Sequence, residues 1–230
     1  MSAEEFAPQA PATVSDHGPV RRSVAGSVGA AVLLVILSLP IAGWLVHGES
    51  LSSQVWRELV FWALTLALLA YVLLVERRPL SSIGLKRPNW KTAAFGVLGA
   101  LVMVGGMAFI YLVIYPALGL FPSEPGMAAV TALPFWLRVM IVVRAAVFEE
   151  IYFRGFAIER LTDILGSRWG AAAISFVAFT LEHLGYWGWA HLMIAGFGGI
   201  ILTGLYLWRR DLGANILAHL LTDAIGFLLG

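Results

Sequence analysis

The sequence predicts an all-α fold: a polytopic transmembrane helical bundle of about seven spans. Of 230 residues, 60% are hydrophobic and 13% charged, where an ordinary soluble domain carries about 25% charged residues. Mean hydropathy is +0.84. Apolar runs repeatedly reach the roughly 20 residues that a helix needs to cross the hydrocarbon core. Together these exclude a water-soluble globule. The net charge of +1, from 15 Lys and Arg against 14 Asp and Glu, lacks the basic excess of a nucleic-acid binder, so no nucleic-acid partner is expected. The chain contains no Cys, which rules out disulfides, thiolate metal sites and cysteine nucleophiles. Chemistry falls to carboxylates, imidazoles and hydroxyls.

Residues 1–22 are rich in Pro, Ala and Ser and lack the basic start and short apolar core of a cleaved signal peptide. They read as a disordered cytoplasmic tail, and residues 23–230 as the transmembrane domain. The length rule places spans at about Val24 to Val46, with a kink at Pro40, Trp56 to Val75, and Thr92 to Leu118. Between the second and third lies ERRPLSSIGLKRPNWK, whose five basic residues and two prolines keep it out of lipid. A fourth span starts near Pro134, after the turn-rich FPSEPGM, and runs past Glu149 towards Arg160. The fifth covers about Trp169 to Tyr186, the sixth Ala190 to Trp208, and the seventh Ala214 to Leu229.

Lys and Arg in short loops set orientation. With the N-terminus inside, the cytoplasmic side receives Arg21, Arg22, Arg77, Arg78, Lys86, Arg87, Lys91, Arg160, Arg168, Arg209 and Arg210, while only Arg57 and Arg138 fall outside. Short loops and this bias suit a multi-pass protein of a prokaryotic cytoplasmic membrane, with the lipid bilayer as its first partner.

Charged groups at membrane depth cost at least ~2.5–3.5 kcal/mol each, so those present mark where function is sought. The fourth span holds Glu149-Glu150-Ile151-Tyr152-Phe153-Arg154. Glu150 and Arg154 are four apart, acid first, the favourable order for a helical ion pair. Glu149 lies about 100° away round the helix and is left without that counter-charge, available to take a proton from water. In the fifth span Phe179 and His183 share a face. In the seventh, Asn215, His219 and Asp223 recur every four residues and form one polar stripe. At 1.5 Å per residue, Glu149 and His219 reach similar depths and His183 lies nearer the outer side.

Each group has a plainer reading. Asn215 and Thr222 suit interhelical hydrogen bonds, and Glu150 with Arg154 suits a structural ion pair. Arg144, His191 and Glu182 are expected to sit at interfaces or snorkel, and Trp187 and Trp189 to serve as membrane anchors. Glu149, His183 and His219 are three isolated ionisable groups on three helices, costly unless used.

These residues resemble the CPBP intramembrane proteases, which include the type II CAAX prenyl endopeptidases and bacteriocin-processing and immunity proteins. Glu149-Glu150-x-x-x-Arg154 is similar to the family's EExxxR, Phe179-x-x-x-His183 to its FxxxH, and His219-x-x-x-Asp223 to its HxxxN. The resemblance implies a glutamate-dependent peptidase with a catalytic core at about 134–230, acting on a membrane-associated polypeptide. Glu149, helped by His183, would activate water, while His219 and residue 223 stabilise the oxyanion; Glu150, Arg154, Phe179 and Asn215 would support the site. Asp223 departs from the pattern, since an ionised Asp only accepts hydrogen bonds. It must be protonated, orient His219, or signal altered activity. The resemblance implies no cofactor, although Glu149, His183 and His219 form a two-His, one-carboxylate set of the kind that holds zinc. Two other functions fit the same residues. One is a non-proteolytic immunity or scaffold protein of the family, motivated by Asp223. The other is a proton-coupled transporter, disfavoured by the lack of paired Gly-broken repeats.

Overall fold

The chain is described from a computed structural model, which covers Gly29, Val32, Gly48, 50–120 and 125–229. The tail expected at 1–22 and nearly all of the first span lie outside the described residues. Those residues contain helices and turns and no strand.

Apolar runs that find a polar cap become helices, and several begin this way. Ser50 accepts from the Ser53 N–H at the start of α1 (Leu51–Ala70), which continues as a π turn over Tyr71–Val75. Asn89 and Thr92 cap each other's backbone at the start of α2 (Trp90–Phe109), extended through Ile110–Ile114 and Tyr115–Ala117. A short α3 (Pro125–Thr131) precedes α4 (Phe135–Glu149). The chain then passes through a π segment, Glu150–Ala157, into α5 (Ile158–Leu165). Helix α6 (Arg168–Trp187) is capped by Ser167 and stopped by Gly188 at φ +84. Helix α7 (His191–Arg209) is followed by α8 (Leu212–Ala224), capped by Asp211 and ending in a π turn over Ile225–Leu229.

Four helical stretches are long and apolar enough to cross a membrane: Leu51–Val75, Trp90–Ala117, His191–Arg209 and Leu212–Leu229. They match the second, third, sixth and seventh expected spans. The fourth and fifth expected spans form as helices but do not meet that standard. The run through α4 carries Arg138, Arg144, Glu149, Glu150 and Arg154, and α6 mixes Arg168, Glu182 and His183 with small residues. These residues lower the hydropathy of both runs, and Arg144, Glu149, Glu150 and Arg154 are buried within the bundle, so their charges are kept from lipid. Leu66, Leu74, Leu101, Leu112 and Ile200 are exposed, giving the bundle a greasy exterior suited to a bilayer.

Close packing sets α8 in place. A Cβ on Gly96 of α2 would lie 2.8 Å from Leu217, and one on Gly99 would lie 3.1 Å from Ala218, so small residues let the two backbones approach. Thr92 donates to Asp211 Oδ2 at 2.8 Å, while Asp211 Oδ1 caps the Ala214 N–H. The polar loop after α1 also contributes to the interior. Its 3₁₀ turn, Leu80–Ile83, ends at Gly84 (φ +79), whose carbonyl accepts from the Leu212 N–H at 2.9 Å. A Cβ at Gly84 would lie 2.7 Å from the Tyr206 ring.

Candidate active site

The two adjacent glutamates diverge as their position on a helix demands. Glu150 is fully buried and is the hub of a polar network. Its Oε1 accepts from Arg154 Nη1 at 2.9 Å and lies 3.0 Å from His219 Nδ1, while its Oε2 accepts from Asn215 Nδ2 at 3.1 Å. Asn215 also donates to the Leu202 carbonyl at 2.7 Å. A buried carboxylate needs several donors to offset its desolvation, and the π segment and α8 supply them. The Glu150–Arg154 ion pair forms as the spacing predicts, and Asn215 makes the interhelical hydrogen bond expected of it.

Arg154 shows why an aromatic ring accompanies these charges. Its Nη2 has no hydrogen-bond partner among the described residues, but the guanidinium lies 3.9 Å from the centroid of the Phe179 ring, a cation–π contact. The other side of this aromatic cluster reaches His183, whose ring centroid is 4.7 Å from that of Phe179. His183 Nδ1 is 2.8 Å from the Phe179 carbonyl. A carbonyl only accepts, so Nδ1 donates and a neutral ring keeps Nε2 as an acceptor. Ser175 donates to the Phe153 carbonyl at 2.6 Å, tying α6 to the π segment.

Glu149 points away from this hub into a cavity of about 1370 Å³, whose wall also includes His183, His219 and Asp223. All four expected catalytic residues therefore share one cavity, His183 included, despite its different depth by rise arithmetic. The expectation that Glu149 lacks a counter-charge is corrected. Arg144 Nη1 and His219 Nε2 each stand 4.0 Å from a Glu149 oxygen, beyond hydrogen-bond range. His219 Nε2 is also 3.4 Å from Asp223 Oδ2, so both ring nitrogens of His219 face carboxylates. No group of three or more His, Asp or Glu placed to hold an ion occurs among the described residues.

Sequence reasoning missed several of the cavity's polar residues. Arg144, expected to snorkel, is buried and forks onto Glu58 of α1, with Nε 3.1 Å from Oε2 and Nη2 3.1 Å from Oε1. Glu58 is only 2% exposed. The available signal was opposite charges in two apolar runs, which are costly to bury apart. His191, expected at an interface, is buried and its ring stacks on Trp187 at 4.8 Å and on His183 at 6.0 Å. Trp187 lines the cavity instead of acting only as an anchor, whereas Trp189 is exposed as expected. Glu182 also lines the cavity, and both its carboxyl oxygens are shielded from solvent.

A multi-pass helical bundle that directs carboxylates and imidazoles from separate helices into one cavity defines a class of membrane protein with a polar site among its helices. Within that class, residues 131–225 match the family model described as Type II CAAX prenyl endopeptidase Rce1-like, the family that the three motifs resemble. The match contains every motif residue from Glu149 to Asp223. No curated protein and no solved structure matches the chain.

Proposed function

We propose that the protein is an intramembrane endopeptidase that hydrolyses a peptide bond in a membrane-associated polypeptide. The observation that supports it most is the placement of Glu149, His183, His219 and Asp223 on one cavity wall within the family-matched segment. In this reading Glu149 takes a proton from water while His183 Nε2 holds that water from the other side. The water oxygen attacks the scissile carbonyl carbon, and His219 Nε2–H donates to the developing oxyanion. The proton on Glu149 then passes to the leaving nitrogen as the carbon–nitrogen bond breaks. Asp223, 3.4 Å from His219 Nε2, orients that ring. Glu150, Arg154, Phe179 and Asn215 hold the reacting groups in place.

We assign the reaction no cofactor, and we read the chain as crossing the membrane seven times, counting the run through α4 and α6 as spans. The N-terminus is placed in the cytoplasm, following the distribution of Lys and Arg. Asp223 keeps a second reading in view, a non-proteolytic immunity or scaffold protein that retains the motifs. One experiment separates them: cleavage of a quenched-fluorescent peptide library by detergent-purified protein, wild type against Glu149→Ala and His183→Ala, with and without chelator. Cleavage that is lost in both variants and indifferent to chelator supports the proposal. Full cleavage by either variant sinks it, and chelator-sensitive cleavage overturns the cofactor assignment.

A further inference from the structure

The family-matched segment starts at residue 131, yet a charged residue of α1 reaches the site. Arg144 has three groups within reach. Glu58 takes its fork through Nε and Nη2, at 3.1–3.3 Å. The Phe61 ring lies under it, 4.5 Å from the guanidinium carbon. Its remaining Nη1 stands 4.0 Å from Glu149 Oε1. Glu58, Phe61, Arg144 and Glu149 all line the same cavity.

The distances distinguish two relationships. Arg144 and Glu58 form a two-point ion pair, the geometry in which a guanidinium best satisfies a carboxylate. Arg144 and Glu149 are close enough for strong Coulombic attraction in a low-dielectric interior but too far apart to share a hydrogen bond. A carboxylate hydrogen-bonded directly to Arg gives up lone pairs that a base needs for water. One facing an uncompensated interior is costly to keep charged. At 4.0 Å Glu149 has a share of the guanidinium charge that Glu58 also uses, and keeps its oxygens open.

We infer that Glu58 and Arg144 are positioning residues for Glu149: Glu58 occupies the guanidinium fork and so prevents Arg144 from closing onto the catalytic carboxylate. This rests on the peptidase reading of Glu149 and adds α1 to the functional unit. Removing Glu58 frees the fork, and Arg144 then turns to the nearest acid, Glu149. Removing Arg144 as well abolishes that quenching pair.

The test is a double-mutant cycle on the full chain in detergent or nanodiscs, measuring kcat and KM separately on a cleaved peptide. Glu58→Gln lowers kcat at least about tenfold, the order expected when a buried charge pair is disrupted, with KM changed less. Glu58→Gln combined with Arg144→Gln recovers part of that loss. Glu58→Asp keeps more activity than Glu58→Gln. A second readout is independent of turnover. The infrared carboxylate stretch assigned to Glu149, by subtracting the Glu149→Gln spectrum, shifts in Glu58→Gln and returns towards its wild-type position in the double variant. Unchanged kcat in Glu58→Gln, or losses that simply add, would overturn the inference while leaving the peptidase intact. A shifting band in a protein that cleaves nothing would retain the positioning role and remove the peptidase.

Discussion

Glu150 and His219, 69 positions apart in the chain, meet at 3.0 Å with Glu150 fully buried. The contact joins the π segment after α4 to α8, and it divides the labour of the paired glutamates. Glu150 orients an imidazole, and Glu149, one residue earlier, faces the cavity. Replacing either should fail in its own way. Glu150→Gln strands the buried Arg154 charge and should cost about 3–5 kcal/mol, read as a lower thermal midpoint in detergent. Glu149→Gln should leave that midpoint close to wild type and abolish cleavage.

Position 223 tests the oxyanion assignment. The carboxylate of Asp223 can only accept, whereas an Asn amide offers two donors. A single well-placed oxyanion donor contributes about 10²–10³ to turnover. Asp223→Asn should therefore raise kcat, and Asp223→Ala should lower it by releasing the His219 ring. Steady-state kinetics on one peptide decides this, and a fall in kcat for Asp223→Asn would count against the assignment.

The centroid of the Phe179 ring is 3.9 Å from the Arg154 guanidinium carbon and 4.7 Å from the centroid of the His183 ring. Phe179→Leu keeps much of the apolar bulk but removes the π face. We expect a loss of about 1–2 kcal/mol in stability from the cation–π contact and a drop in kcat as His183 loses its support. Thermal unfolding and turnover measured on the same preparation should move together here, unlike in Glu149→Gln.

Two glycines of α2 provide a control for helix packing. Gly96 has Leu217 only 2.8 Å from where a Cβ would sit, while Gly105 has nothing within 4 Å. Gly96→Ala should cost about 1–3 kcal/mol by overpacking against α8. Gly105→Ala should be neutral or stabilise by up to about 1 kcal/mol through helix propensity. Detergent unfolding midpoints of the two variants should fall on opposite sides of wild type or nearly so.

Helix existence was legible because apolar runs of bilayer length admit few other structures, and α1, α2, α7 and α8 bear this out. The motif spacing also revealed which side chains share a face, as in Asn215, His219 and Asp223. Periodicity does not reveal which face meets which helix, and the remaining misreadings stem from this. Arg144 has no acid three or four residues away on its own helix to take its fork. Its partner, Glu58, lies 86 positions away on another helix. His191 and Glu182 sit beside tryptophans in a segment that resembles an interfacial belt, so their inward direction could not be read from composition. Glu149's surroundings depend on two such long-range placements, His219 and the Glu58 that holds Arg144, and neither follows from the EExxxR spacing.

Asp211 spends one carboxylate on two helix starts, accepting from Thr92 with one oxygen and capping α8 with the other. Sliding or twisting α8 against α2 would break both bonds at once, and the tight seams at Gly96 and Gly99 oppose the same motion. The pair therefore acts as one stiff plank, and it carries His219 and Asp223 at a fixed height. A bulky guest can be accommodated without disturbing that plank only where other elements form the cavity wall, such as α3, whose Met127 and Val130 line it.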